Sequence, residues 1–278
     1  MNCPDGKRLL ASVRQGDFAH PGEETAVRLA WERLPKREAQ DCLDAGCGRG
    51  GTAALVQSEG WGRVTGLDID AETISFAAAA YPAVKFVAAD ITSAGQSFPA
   101  AFEIIYAFNA FYAFPDQKAA LTALRFAAKP DAKLCLFDYV DRGGFKETPF
   151  ATKPETRLWR PLSLSSLHVE LGETGWEWSE CLEISERYQA WYAELVGRFA
   201  DRRDELLDRF SGELVAYAED YYRSMLEAIE DGALGGAIVY AHAVPAVSEQ
   251  RAPCQRQPQT GIFPPKMIRA RGSRKEKP

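Results

Sequence analysis

Between residues 40 and 140 short apolar runs alternate with stretches of helical pattern over short connections, and this alternation constrains the fold more than any other feature of the chain. The runs lie at 41–45, 64–68, 84–88, 102–107 and 133–139, and the helical patterns between them at 51–59, 71–81 and 117–128. Neighbouring parallel strands need a crossover, usually a helix, and such crossovers are right-handed, so the pattern predicts a mainly parallel, doubly wound α/β sheet of Rossmann-like form. A helical stretch at 163–174, an extended one at 176–184 and a strongly apolar run at 236–242 bring the strands to seven, the last expected antiparallel. Two further helical regions flank this core. Residues 6–34 read as helices interrupted near 16–23, where Gly16, Pro21 and Gly22 break the pattern. Residues 187–230 carry Tyr188, Trp191, Tyr192, Phe199, Phe210, Tyr217, Tyr221 and Tyr222, many spaced by three, four or seven, as an amphipathic helical pair laid on the core as a cap.

Composition narrows the class. A 46% hydrophobic content over 278 residues is ample for a buried core. No apolar run of transmembrane length occurs, and residues 1–8 lack a signal-peptide stretch, so a cytoplasmic protein with no membrane partner is expected. The six cysteines (3, 42, 47, 135, 181 and 254) are scattered and only three histidines are present, which suggests reduced thiols and no metal site. Residues 246–278 hold eight Lys/Arg against Glu249 and Glu276, a local +6 within a net charge of −6, so residues 1–245 carry −12. An acidic body repels nucleic-acid phosphates, and a small-molecule ligand is expected. One domain is therefore expected over 1–245 (N-terminal helices 1–38, ligand-binding core 40–140, cap 187–230). The tail, with five prolines and no apolar periodicity, is expected to be disordered.

The turn after the first strand, Asp44-Ala-Gly-Cys-Gly-Arg-Gly-Gly51, satisfies G-x-G-x-x-G at Gly46, Gly48 and Gly51, the form taken by loops whose backbone closely approaches a ligand. Three carboxylates surround it, each where an apolar run stops: Asp44, Asp68 and Asp90. A dinucleotide's pyrophosphate needs a helix N-terminus and free backbone N–H groups, and a carboxylate beside them is badly placed. A sulfonium nucleoside carries no phosphate and has a cationic sulfur and an ammonium group, so it suits an acidic turn. Each acid also has a local reading as a cap, Asp44 for the following loop, Asp68 for the helix at 71 and Asp90 for residues 91–92.

Asp44-Ala-Gly-Cys-Gly-Arg-Gly50, Leu67-Asp68 and Ala89-Asp90 resemble the three cofactor motifs of class I S-adenosylmethionine-dependent methyltransferases of the small-molecule type, over residues 40–140. The resemblance implies S-adenosyl-L-methionine as cofactor. Asp44, Gly46, Cys47 and Gly48 would wrap its methionine part, Asp68 would take the ribose hydroxyls, and Asp90 with Ile91 would meet the adenine; Ile69 and Asn109 are further cofactor-binding candidates. A carboxylate can accept from two vicinal hydroxyls in charge-assisted bonds, which are strong. Two other functions keep the same core: a nicotinamide oxidoreductase, whose only Tyr-x-x-x-Lys pair (Tyr81, Lys85) is interrupted by Pro82, and a non-catalytic cofactor-binding scaffold.

In open α/β sheets ligands sit beyond the carboxyl ends of the strands, which directs attention to 106–114 and 138–141 for the methyl acceptor. Tyr106, Asn109 and Tyr112 are the candidate catalytic residues; Asn109 and Tyr112 resemble the first and last members of the N-P-P-Y motif of amino-methyltransferases, without its prolines. Asp138, Tyr139, Trp159, Arg160, Tyr188, Trp191 and Tyr192 are candidate acceptor-binding residues: the aromatics for stacking or cation–π contact and Arg160 for a carboxylate or phosphate. His20 lies in the N-terminal break, where Gly22 could let a loop fold over the cofactor; His168 and His242 read as structural. Nothing in the sequence sets the acceptor atom (nitrogen, oxygen or carbon), the need for a base or the oligomeric state.

Overall fold

In a computed structural model of the chain, which describes Met1 and residues 3–244, two N-terminal helices, α1 (Pro4–Arg14) and α2 (Glu23–Trp31), precede a run of alternating elements. These are β1 (Asp41–Ala45), α3 (Gly51–Ser58), β2 (Arg63–Asp68), α4 (Ala71–Ala80), β3 (Lys85–Ala88), the single turn α5 (Ala94–Ser97), β4 (Phe102–Phe108), α6 (Gln117–Ala127) and β5 (Ala128–Asp141). The chain continues through α7 (Leu164–Glu173), β6 (Trp176–Glu183), α8 (Ser185–Asp201), the short α9 (Arg203–Leu207), α10 (Gly212–Glu230) and β7 (Leu234–Ala243). Two units are distinguished, Met1–Pro245 and Ala246–Pro278; the second, the basic tail, lies outside the described residues. Among the described residues no helix is long and apolar enough to cross a membrane.

The seven strands form one sheet in the order β3-β2-β1-β4-β5-β7-β6, parallel except for β7, which runs against both β5 and β6. This is the expected seven-stranded doubly wound sheet. Strand order reverses between β1 and β4, so the turns that leave these two strands diverge and open a crevice at their carboxyl ends. Side chains alternate across the sheet. Ile104, Tyr106 and Phe108 of β4 join one core layer with Trp31 and Phe137, whereas Ile105 and Ala107 join the other with Leu43 and Leu121.

β5 begins at Ala128 rather than near 133, because its first residues already pair with β4 (Phe102 opposite Ala128) before the register shifts. α8 lies on β7, and α10 packs on α8. Gly235 and Gly236 permit that approach: a Cβ on Gly236 would lie 2.3 Å from Tyr188 Cδ2 of α8, and one on Gly235 would lie 2.1 Å from Ser185 Oγ. The aromatic block is thus seated on the sheet beside β5, which brings Tyr188 and Tyr192 against Phe137 and Tyr139.

Candidate active site

A cavity of about 480 Å³ occupies the crevice. Its wall runs from the turns after β1, β2 and β3, across the turn after β4, to the end of β5 and the inward faces of α8 and α10, with α1 along another side.

At the first end, Gly46 and Gly48 take φ of +81° and +51°, a region that L side chains rarely adopt. A Cβ on Gly46 would meet Ala110 Cβ at 2.5 Å, whereas one on Gly48 would meet nothing within 4 Å and would enter space beside the cavity. The amides of Gly46 and Cys47 donate to the Leu67 carbonyl at 2.8 and 3.0 Å, Gly50 donates to Cys47 at 3.0 Å, and Gly48 donates to Asp68 Oδ2 at 2.9 Å. Asp68 Oδ1 accepts from the Asp70 amide at 3.0 Å. Each Asp68 oxygen therefore holds one backbone N–H and keeps a second acceptor site. Asp68 is not the cap of α4; Asp70 is, accepting from the Glu72 and Thr73 amides. Asp90 does cap a turn, accepting from the Thr92 amide at 2.8 Å and its hydroxyl at 2.7 Å through Oδ1, which holds the carboxyl below its ordinary range. It also lines the cavity, as do Ile91 and Ile69, the latter 72% exposed.

Beneath the glycine turn Asp44 is buried. Burial, reinforced by the charge of Asp68, pushes its carboxyl up to about 8. Its Oδ2 and the Tyr106 hydroxyl face each other without a hydrogen bond of good geometry.

At the other end, Asn109 follows β4 at φ +45°. Its amide donates to Phe137 at 2.8 Å, its Oδ1 accepts from the Tyr188 hydroxyl at 2.9 Å, and its Nδ2 is buried without a partner. Tyr112, Tyr139 and Trp159 pack edge to face or tilted, with centroids 4.2–5.0 Å apart. The Tyr139 hydroxyl is hydrogen-bonded to that of Tyr192 and lies 3.6 Å from Met225 Sδ. Asp138 is buried behind them, accepting from the amides of Tyr112 (3.1 Å) and Tyr139 (2.7 Å), and burial pushes its carboxyl up to about 7.

The cavity wall thus gathers Gly46, Gly48, Asp68, Ile69, Asp90, Ile91, Asn109, Tyr112, Tyr139, Trp159 and Tyr192 of the expected residues. Several others are corrected. Tyr106 stands in mid-strand on the face covered by α2, 5.3 Å from Trp31, and is not a catalytic candidate. Asp138 and Tyr188 act behind the wall, holding the turn at 110–112 and Asn109. Arg160 joins Tyr112 and Gln117 through its backbone while its side chain is exposed. Trp191 lies against the backbone of Gly22 instead of the cavity. Cys47 contributes its amide, and its buried thiol faces Gly66. Asp44 lies under the turn rather than on the wall.

His20 is buried, with Nε2 2.9 Å from Thr52 Oγ1, and burial lowers it to about 3, so it is neutral and structural. The loop around it does fold over the glycine turn, bringing the Asp17 backbone against Gly51.

Two groups of wall residues went unnamed as candidates. In the N-terminal region, Lys7 bridges Asp70 at 2.6 Å and Asp17 bridges Arg49 at 2.6 Å, so α1 and its following loop are fastened across the cavity. The break at 16–23 was the available signal. In α10, Tyr221, Tyr222 and Met225 face inward at helical spacing.

The model of the methyltransferase-domain family matches residues 19–180. The chain belongs to this family. Among curated relatives of this methyltransferase-domain chain, phosphoethanolamine N-methyltransferase 1 of Zea mays is 23% identical over 197 residues, 69% of this chain and 39% of that protein. Trans-aconitate 2-methyltransferase of Azoarcus sp. (strain BH72) is 30% identical over 130 residues, 45% of this chain and 51% of the other. The chain spans about half or less of the length of these curated relatives. In fold it is similar to phosphoethanolamine N-methyltransferase 2 of Haemonchus contortus, solved with S-adenosyl-L-methionine (TM-score 0.78, 20% identity, 87% of this chain and 57% of that one). It is also similar to a cyclopropane synthase of Mycobacterium tuberculosis (TM-score 0.73, 15% identity, 87% and 94%).

Proposed function

We propose that this chain is an S-adenosylmethionine-dependent methyltransferase acting on a small molecule. The observation that carries the reading is the state of the glycine turn. Its amides at 46, 47, 48 and 50 are all engaged within the protein and so are not offered to a pyrophosphate, while Asp68, Asp90 and the open space at Gly48 border one cavity. That disposition disfavours a nicotinamide dinucleotide and fits a nucleoside without phosphates. The donor set agrees. Asp68 retains acceptor capacity for two ribose hydroxyls, Asp90 Oδ2 is left for an adenine amino group, and Ile69 with Ile91 offers apolar surface to the base. Asp44 is a buried acid with an unpartnered oxygen, and a cationic ligand above the turn would supply the positive neighbour it lacks.

When bound, S-adenosylmethionine supplies an electrophilic methyl group on its sulfonium sulfur. The protein's part is alignment: Asn109 and Tyr112 stand where the turn after β4 separates the two ends of the cavity, and the aromatic wall excludes water from the acceptor. The neighbours solved with S-adenosylmethionine, and the curated relatives named for methylation of phosphoethanolamine and trans-aconitate, support a small-molecule acceptor. The −12 charge of residues 1–245 supports one over a nucleic acid. The five described cysteines are free, which supports a reducing, cytoplasmic setting. Calorimetry decides the cofactor: S-adenosylhomocysteine is expected to bind and NADH not to, and the opposite result would overturn the proposal.

A further inference from the structure

Resting on that reading, we infer that the methyl acceptor is an amine, received by an aromatic box and leaving as an ammonium ion. The box is formed by Tyr112, Tyr139, Trp159, Tyr192, Tyr222 and Met225, all on the cavity wall beyond Asn109. Among the described residues this part of the wall carries no acid, base or cationic side chain. Two charged groups lie behind the box, one of each sign. Asp138 lies behind Tyr112 and Tyr139, holding their amides; Arg14, behind Tyr192 and Tyr222, is paired through Nη1 with Glu23 at 2.7 Å, a carboxylate it shares with Arg198, and its Nε and Nη2 are buried without partners, so the cation is received by the ring faces rather than by the charges behind them.

Acceptor classes place different demands on such a wall. A phenol or an acidic carbon must lose a proton to a base before it attacks, and a carboxylate needs a cation or several donors to hold it. In both cases an anion meets a sulfonium and charge disappears. An amine that enters as its free base, having left its proton to bulk water, needs neither. Its nitrogen lone pair forms the new N–C bond as the C–S bonding pair returns to sulfur, and the positive charge passes from sulfur to nitrogen. The charge thus persists in the chamber throughout. Ring faces, phenol oxygens and a thioether stabilise a desolvated cation without neutralising it, and a ring quadrupole gains strength where water is excluded.

The test uses the full chain saturated with S-adenosylhomocysteine, whose binding is measured first by calorimetry. Choline and 3,3-dimethylbutan-1-ol, which differ in a quaternary nitrogen against a quaternary carbon, are then titrated by intrinsic fluorescence. The cation is expected to bind at least roughly tenfold tighter. Tyr222→Leu and, separately, Trp159→Phe should narrow that ratio while leaving S-adenosylhomocysteine affinity unchanged. In parallel, transfer of labelled methyl to matched amines, phenols and carboxylates should be confined to the amines. Equal binding of the isosteres, binding of neither, or turnover of phenols or carboxylates in preference to amines overturns the inference. Failure of S-adenosylhomocysteine to bind overturns instead the proposed function on which it rests. The isostere comparison on the unmodified protein needs no variant to fold.

Discussion

At the cofactor end of the cavity the wall is built by residues 46–48, 68–70 and 89–91, each within a few positions of a strand end. At the acceptor end it is built by Tyr112, Tyr139, Trp159, Tyr192 and Tyr222, which come from separate turns, strands and helices. The first arrangement is a consequence of parallel register. Ala45 pairs with Leu67 and Asp68 with Ala88, so three successive strands stop at one level and their following turns must meet. The second depends on where α8 and α10 settle on β7, which is long-range packing. Local geometry therefore fixes the proposed donor site, and distant contacts fix the proposed acceptor site, so the two should be separable by mutation.

The largest separation is expected from Asp68→Ala. It removes the acceptor of the Gly48 amide and of two proposed ribose hydroxyls, and bonds to a charged group contribute about 1.5–3 kcal/mol each. S-adenosylhomocysteine affinity should fall roughly a hundredfold or more in calorimetry, while choline binding to the box stays measurable. A loss below about fivefold would remove Asp68 from the cofactor site.

A second effect belongs to the cofactor end alone. With the Asp44 carboxyl pushed up to about 8 in the free protein, a ligand whose ammonium group requires it ionised must displace its proton at lower pH. Affinity for S-adenosylhomocysteine should then rise with pH between 6 and 8, by up to roughly tenfold per unit, with a proton released that buffer-dependent calorimetry can count. Asp44→Asn should flatten the profile. For the stability of the free protein the sign is opposite. A folded-state value raised above the unfolded one means that stability from this group is full at low pH and is lost as pH rises towards 8, which thermal unfolding across that range would register. A pH-independent affinity would show that Asp44 does not sense the ligand.

The same contrast explains what was legible in the sequence. The sheet, its order-reversal crevice and the strand-end residues that meet on one cavity wall could be read because strand ends and glycine turns are encoded within a dozen residues. The errors fall where the reading needed tertiary information. Tyr106 lies only three residues from Asn109, but alternation along β4 turns it under α2, and its distance from the strand's end removes it from the cavity. Trp191 and Tyr192 are adjacent, yet a 100° step around α8 sends one to Gly22 and the other to the cavity. The role of α1 was invisible, since Lys7 meets Asp70 across 63 residues.

Gly236→Ala should break the acceptor end selectively. Its Cβ would lie 2.3 Å from the Tyr188 ring, and such overpacking costs about 1–3 kcal/mol as α8 shifts off β7. Thermal unfolding should register that loss and methyl transfer should fall with it, while S-adenosylhomocysteine affinity remains within about twofold of the parent. Equal loss of cofactor affinity would mean that the two ends are mechanically one unit.

The smallest effect, and the one that locates the border, concerns Asn109. Its backbone is held at φ +45° by the bond to Phe137, and its side chain is held by the Tyr188 hydroxyl on Oδ1. An amide presents a donor and an acceptor of almost the same shape, so this one hydroxyl decides which of them faces the cavity. Tyr188→Phe keeps the ring packed on Phe137 and leaves Oδ1 without its donor, at a cost of about 1 kcal/mol that rotation of the amide can partly relieve. If Asn109 aligns the acceptor, kcat should fall roughly fivefold with the affinity for S-adenosylhomocysteine unchanged, since about 1 kcal/mol of alignment is lost only in the transfer step. If the affinity falls by the same factor, Asn109 belongs to the cofactor end, and the border between the encoded and the assembled halves lies beyond it, at Tyr112.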